Sequence, residues 1–247
     1  MMQLRGLDQG AVALVTGASS GIGAAIAEIL VAKGCRVIAA ARRVDRLADL
    51  AARLGANCHP LALDQTDDGS VATLLDRLPE AWRAIDILIN NAGHGVGGKL
   101  RFDQGSAADW VGMIDTNVAG MLRVSRAIIP GMLERGGGQV VNVGSVAGIN
   151  ALPNDATYAA SKFAVNGFSK ALRLDYLGKI RVMQVLPGLV RTEFDEVRRR
   201  GDKATAEAYY ASFAERLLPE DIAACVAFAV AQPPRVNIAE LLVLPSA

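Results

Sequence analysis

Thr16-Gly17-Ala18-Ser19-Ser20-Gly21-Ile22-Gly23 separates two apolar stretches of different rhythm, and its reading decides the fold. Before it, residues 11–15 are apolar on consecutive positions, the mark of a strand covered on both faces. After it, Ile22, Ala25, Ile26, Ile29 and Leu30 recur at helical spacing, and Gly34 offers a stop. A second apolar run at 36–41 completes a βαβ unit. Glycine in such a turn permits positive φ and lets backbone approach a pyrophosphate, while free N–H groups of the helix N-terminus face the anion. Gly17, Ser19, Ser20, Gly21, Ile22 and Gly23 are therefore candidate dinucleotide contacts. The spacing is GxxxGxG, not the generic GxGxxG, so taken alone the turn also fits an ordinary strand-to-helix connection.

The rhythm continues outward. Runs at 58–63, 85–89, 139–143, 180–186 and 238–244 read as further strands, and 44–54, 70–78, 107–133, 157–177 and 219–231 as helices. With no Pro/Ser-rich linker and no repeat, the pattern predicts a single α/β domain, a doubly wound seven-stranded parallel sheet with helices on both faces. Residues 187–218 break the rhythm. They are Arg-rich, carry aromatics and follow the C-terminal end of a strand, where open α/β sheets bind ligands, which predicts a substrate lid; a helical excursion packed on a neighbour is the other reading.

Composition narrows the partners. The 247 residues carry 26 basic and 25 acidic side chains, and 51% hydrophobic content excludes a disordered chain. Charges so nearly balanced give no basic footprint for nucleic acid or anionic lipid, leaving a small molecule as the expected partner. No apolar stretch approaches the length of a membrane span, and MMQLRGLDQG lacks the features of a secretory signal, so the expected location is the cytoplasm. Cys35, Cys58 and Cys225 are scattered, without metal-ligand or disulfide spacing, and read as small hydrophobes in a reducing compartment; no metal is expected.

An NAD-selecting site places an acid about 20 positions beyond the glycine turn. Here Ala39-Ala40-Ala41 runs into Arg42-Arg43, with no acid until Asp45. Guanidiniums attract a 2′-phosphate that a carboxylate would repel, so the expected cofactor is NADP(H), with Arg42 the main contact and Arg43 its support. A solvated helix start is the alternative for both. Asp64 suits either the adenine amino group or helix capping.

Tyr158 and Lys162 stand four apart at the start of a helical stretch, on one face, where an ammonium favours a phenolate. Gly144-Ser145 ends the fifth strand at the same sheet edge as the glycine turn, so its hydroxyl can hold a developing alkoxide. Asn90-Asn91-Ala92-Gly93 ends the fourth strand, where Asn91, Ala92 and Gly93 would let a cofactor pass closely. Asn117 lies inside the long helical stretch, where its side chain either bonds backbone or anchors water.

Together these motifs resemble the short-chain dehydrogenase/reductase family over essentially the whole chain: TGASSGIG, NNAG, the Asn117 segment, Ser145, the YxxxK pair and Pro187-Gly188 fall in its order and spacing. The resemblance implies a Rossmann-type sheet and a nicotinamide dinucleotide. It implies Tyr158 as general acid/base, Lys162 lowering its pKa and binding the nicotinamide ribose, Ser145 positioning the carbonyl, and Asn117 holding water that relays a proton through Lys162. Pro187, Gly188, Val190 and Thr192 would bind the nicotinamide end, Thr192 at its carboxamide. It also implies self-association as a homotetramer or homodimer through helices 107–133 and 157–177.

A narrower similarity, carried by Ala40-Ala41-Arg42-Arg43, Met113 to Asn117, Arg126 to Met132 and Gly188-Leu189-Val190 with Thr192-Glu193-Phe194, is to NADP-dependent 3-hydroxy acid dehydrogenases acting on serine and allo-threonine. The expected activity is hydride transfer between NADP(H) and a small alcohol or carbonyl, such as a 3-hydroxy acid or ketone. Alternatives are a reductase of carrier-bound 3-ketoacyl groups and a non-catalytic NADP-sensing protein. The chain ends at Ala247, soon after its last strand, so a pocket built by a longer tail is not expected. Arg191 or Arg198-Arg199-Arg200 could hold a substrate carboxylate or form a solvated helix face. Ile149, Leu152, Phe194 and Tyr209 could instead build an apolar pocket. His94 could approach the substrate, whereas His59 reads as a strand-end surface residue.

Overall fold

The computed structural model describes residues 10–97 and 99–246. Seven strands, β1 (Val12–Thr16), β2 (Arg36–Ala41), β3 (Cys58–Ala62), β4 (Ile87–Asn90), β5 (Gly138–Val143), β6 (Ile180–Pro187) and β7 (Glu240–Val243), form one sheet in the order β3-β2-β1-β4-β5-β6-β7. Every pairing is parallel. The order reverses between β1 and β4, the switch point where such sheets open a crevice at their carboxyl ends.

The consecutive apolar residues are explained by burial on both faces. Ala13, Val15, Val37, Ala39, Ile87, Ile89 and Val141 pack with α1 (Gly21–Ala32), α2 (Val44–Leu54) and α9 (Pro219–Val230). Their neighbours Val12, Leu14, Ile38, Ala40, Leu88 and Val140 pack on the other side with α5 (Met121–Glu134) and α6 (Ala156–Asp175). Asn90 and Asn142 are register partners on β4 and β5. Asn90 Nδ2 donates to Asn142 Oδ1 at 2.8 Å and to Ser125 Oγ at 2.9 Å, and Asn142 Nδ2 donates to Ser169 Oγ at 2.9 Å, tying the sheet to both helices. No described helix is long and apolar enough to cross a membrane.

Two expectations are revised. The 70–78 helix is shorter and begins earlier, as α3 (Asp68–Ala72), because Asp67 caps it by accepting from Ser70 N at 2.8 Å. Its end tightens where Leu74 N donates to Val71 O, and the Arg77 guanidinium takes the Ala62 and Ser70 carbonyls. The 107–133 helix is α4 (Ala107–Ile114), a π-helical segment Asp115–Gly120, and α5. A widened turn of this kind frees backbone groups, and Gln65 Nε2 donates to the Thr116 carbonyl inside it at 2.8 Å.

Residues 187–218 form an arm over the cleft carrying α7 (Phe194–Arg198) and α8 (Lys203–Ala211). Its base is clasped where Arg191 N donates to Leu217 O at 2.8 Å and Leu217 N to Leu189 O at 2.9 Å.

Candidate active site

The glycine turn works by close approach. Gly17 has φ +68°, and a Cβ there would lie 2.8 Å from Ala92 Cα. Thr16 Oγ1 accepts from Asn91 N and Ala92 N at 3.0 and 3.1 Å, and Asn91 Nδ2 returns to Thr16 O and Gly17 O at 3.0 and 3.3 Å. The NNAG segment thus braces the turn, a role its sequence did not announce. Gly23 does not border the cleft; its missing side chain lets α1 start against the Gly17 carbonyl. Ser19, Ser20, Gly21, Ile22, Asn91, Ala92, Gly93, Pro187, Gly188, Val190 and Thr192 all border a cleft of about 840 Å³, which continues past Ser145, Tyr158 and Lys162. Thr192 Cγ2 lies 3.2 Å from where a Cβ on Gly21 would stand, so the arm closes on the turn itself.

At the same end of the cleft Arg43 Nε donates to Ser19 Oγ at 3.0 Å and Nη2 to Ser20 Oγ at 2.5 Å. Its Nη1 meets Glu193 Oε2 at 2.9 Å, and Arg46 meets the same carboxylate at 2.6 Å. Burial works to raise the Glu193 pKa, but bonds from Arg46 and Arg43 outweigh it and hold the carboxyl below its usual range. Arg42 also borders the cleft, exposed, and none of its contacts ties it down among the described residues. Asp64 accepts from Thr66 N and Oγ1 at 3.0 and 2.7 Å, a local turn; capping of α3 falls to Asp67. A free helix N-terminus, a glycine cradle and a guanidinium cluster in one elongated cleft fit a phosphorylated dinucleotide.

The reacting side chains meet farther along the same cleft. Ser145 leaves β5 into a short 3₁₀ turn, Val146–Gly148, where its Oγ accepts from Ala147 N at 3.1 Å, and its hydroxyl favours the ionised form of the Tyr158 phenol. Lys162, one turn along α6, is 7% exposed and donates to Val143 O at 3.0 Å. Burial pulls its pKa down to about 8. Burial raises the Tyr158 pKa, opposed first by the charge of Arg198 and then by the Ser145 bond. Arg198 thus joins Lys162 beside the phenol, its guanidinium carbon 4.9 Å from the Tyr158 ring centroid against 5.8 Å for Lys162 Nζ. The sequence reading gives the cation's effect to Lys162 alone.

Asn117 differs from expectation in its partners. Its Oδ1 accepts from His94 N at 2.9 Å, while Nδ2 donates to His94 O at 2.9 Å and Ser161 Oγ at 3.1 Å. The side chain clamps the β4 exit to α6 and leaves one oxygen lone pair, so as a water anchor it is mostly spent. It stays close to the centre: a Cβ on Gly93 would lie 3.0 Å from Asn117 Oδ1 and 3.8 Å from Lys162 Nζ. His94 borders the cleft with Nε2 3.1 Å from Thr116 Oγ1, and burial lowers its pKa.

Of the apolar pocket candidates, Leu152, Phe194 and Tyr209 border the cleft, and Ile149 does not because the 3₁₀ turn carries it away. The arginines also separate. Arg191 pairs with Glu207 at 2.9 Å, Arg199 with Asp195 at 2.6 Å and Arg200 with Asp109. Arg198 points inward, which corrects the solvated-face reading for that residue. His59 sits on β3 beside Trp82, ring centroids 5.4 Å apart. Cys35 and Cys58 are buried free thiols, pushed up to about 11 by burial.

Comparison with known proteins agrees with this geometry. The family described as short chain dehydrogenase matches residues 11–203. A probable NADP-dependent dehydrogenase of Haemophilus influenzae is 42% identical over 237 residues, covering 95% of this chain and 93% of its own. An NADP-dependent 3-hydroxy acid dehydrogenase of Schizosaccharomyces pombe is 41% identical, covering 94% and 92%. Among solved structures, the closed form of serine dehydrogenase complexed with NADP+ superposes with a TM-score of 0.91 at 40% identity, covering 94% of each chain.

Proposed function

The chain belongs to the short-chain dehydrogenase family, and on that premise we propose that it transfers a hydride between NADP(H) and the alcohol or carbonyl group of a small molecule. The observation that carries this is the convergence of the Ser145 hydroxyl, the Tyr158 phenol and the Lys162 ammonium on one wall of the cleft that starts at the glycine turn. Relatives named for 3-hydroxy acids and serine make a short hydroxy acid the first substrate class to try.

NADP(H) supplies or receives the hydride when bound. Gly17, Gly21 and the start of α1 would hold its pyrophosphate, Arg42 and Arg43 its 2′-phosphate, and Thr192 with the 187–190 turn its nicotinamide end. Ser145 and Tyr158 donate to the substrate oxygen, fixing the carbonyl where negative charge develops. Tyr158 gives that oxygen its proton in reduction and the phenolate takes it back in oxidation. Burial keeps the phenol protonated near neutral pH, the state reduction needs, while Arg198 and Ser145 stabilise the phenolate it becomes. Lys162, positioned by Val143 O, would bind the ribose hydroxyls of the cofactor, and Asn117 fixes the loop beside it.

We read the arm at 187–218 as the lid over this centre, and the chain as a cytoplasmic homo-oligomer, a tetramer or dimer. Exposed Val111 and Ile114 on α4, Leu122 on α5 and Phe163 and Leu174 on α6 support self-association through these helices. The deciding experiment measures NADPH oxidation over a panel of aldehydes, ketones and oxo acids for the wild type and Ser145→Ala. Turnover that falls about a hundredfold in the variant supports the reading, and absence of turnover on the whole panel overturns it.

A further inference from the structure

Resting on that oxidoreductase reading, we propose that Arg198 and Lys99 form an anion subsite for the acid group of a short hydroxy or oxo acid, beside Tyr158, with Asp155 as their shared counter-ion. Arg198 is carried inward by α7 and is only 7% exposed, its guanidinium carbon 4.9 Å from the ring centroids of both Tyr158 and Phe194. A guanidinium this buried ordinarily has a two-point hydrogen-bonded carboxylate. Here Asp155 Oδ1 is 3.7 Å from Nη2, beyond hydrogen-bond reach. Asp155 is itself 4% exposed, and both its Oδ1 and Arg198 Nε are buried without a hydrogen-bond partner. Lys99 Nζ stands 3.9 Å from Asp155 Oδ2, again loose.

Two cations therefore share one carboxylate without closing on it, and all three side chains border the cleft. The other acids nearby are committed: Asp195 to Arg199 at 2.6 Å, Asp109 to Arg200, and Glu193 to Arg43 and Arg46 at the far end. One positive charge is left over next to the reacting phenol. A carboxylate or sulfonate would give the guanidinium its missing planar partner and offset that charge. Because Arg198 lies against the Tyr158 ring, the acid group and the reacting carbon are separated by a short spacer only. Gly95 makes the room: a Cβ there would stand 2.8 Å from Arg198 Nε and 3.0 Å from Phe194 Cζ.

The test compares each acid with its uncharged isostere in NADP+-dependent oxidation: 3-hydroxypropanoate with 3-hydroxypropanamide, and 2-hydroxyethanesulfonate with its sulfonamide. The wild type should favour one acid by about tenfold or more in kcat/KM, mostly through KM, and the preferred pair tells carboxylate from sulfonate. Arg198→Met should bring that ratio close to one, Arg198→Lys should restore part of it, and Lys99→Met should lower it by about threefold. Equal use of acid and amide by the wild type, or equal losses on both in Arg198→Met, overturns the proposal.

Calorimetric titration of propanoate or ethanesulfonate into NADP+-loaded protein reads the subsite without turnover. Binding that weakens about tenfold in Arg198→Met supports it even if no alcohol is oxidised, which would sink the oxidoreductase reading alone. Turnover of the amides with no Arg198-dependent anion binding sinks the subsite alone. If Arg198→Met loses its circular-dichroism signature of folding, Lys99→Met decides: an unchanged acid preference and unchanged anion binding overturn the proposal.

Discussion

Glu193 Oε2 lies 2.9 Å from Arg43 Nη1, joining residues 150 apart in sequence across the mouth of the cleft. The same guanidinium reaches Ser19 and Ser20 of the glycine turn. A carboxylate of the arm thus occupies one fork of the cationic group assigned to the cofactor's 2′-phosphate.

Removing that competing charge should help the phosphate. Glu193→Gln is expected to tighten NADPH binding by about threefold and leave NADH binding unchanged, while Arg42→Ala and Arg43→Ala each cut the NADPH-to-NADH ratio of kcat/KM by about tenfold or more. Fluorescence titration and steady-state kinetics with both cofactors check this. A wild-type preference for NADH would defeat the phosphate assignment.

Tyr158→Phe should lower turnover by about a thousandfold and spare NADPH binding. Burial raises the phenol's pKa above the ordinary tyrosine value, with Arg198 and Ser145 opposing. Alcohol oxidation, which needs the phenolate, should therefore climb with pH across the neutral range. Carbonyl reduction should stay level there and decline only at high pH. An oxidation profile flat from neutral pH upward would remove Tyr158 from the proton-transfer role.

Lys162 carries a cost to stability. Its folded-state pKa of about 8 lies below the 10.5 of the free side chain, so between those values the unfolded chain binds more protons and stability rises with pH. The penalty is full below about 8 and fades as pH rises to the unfolded value. Lys162→Met should raise Tm by a few degrees at neutral pH, the gain shrinking as pH rises through this window, while turnover collapses. The lost bond to Val143 offsets part of the gain. A Tm difference independent of pH would contradict the depressed pKa.

Gly17→Ala and Gly178→Ala separate strain from collision. Both glycines have positive φ, +68° and +78°, but a Cβ at Gly17 meets Ala92 Cα at 2.8 Å whereas one at Gly178 meets nothing within 4 Å. Gly178→Ala should cost about 1 kcal/mol and leave cofactor binding intact; Gly17→Ala should cost about 2–4 kcal/mol and weaken NADPH by more than tenfold. Thermal unfolding and fluorescence titration measure both.

The sheet was legible because a strand buried on both faces needs apolar residues at every position, and runs such as Val37 to Ala41 admit few other readings. TGASSGIG and YxxxK were legible because their chemistry is local, a turn and one helix face. The widened turn at Asn117 was not. Its Thr116 carbonyl is taken by Gln65, from a loop 51 residues earlier, and no periodicity within 107–133 records that contact. Arg198 could not be told from its neighbours for the same reason: the Arg198-Arg199-Arg200 run fits a carboxylate site or a solvated face alike, and only Tyr158, Phe194 and Gly95, gathered by the fold, mark Arg198 as the interior one. Asp155 and Lys99 carried no motif at all.

The 3₁₀ turn after Ser145 is locked to α6: a Cβ on Gly148 would stand 2.7 Å from Lys162 O, and Asn166 Nδ2 donates to Gly148 O at 3.0 Å. Ser145, Tyr158 and Lys162 consequently travel as one block, whereas Arg198 rides on the arm. On the proposed reading of the arm as a lid, lifting it to exchange ligands would withdraw the guanidinium, and the phenol would then grip its hydrogen ion more firmly. Acidity would then be rationed by the doorway, the chamber most generous while shut and yielding little to bulk water between turnovers.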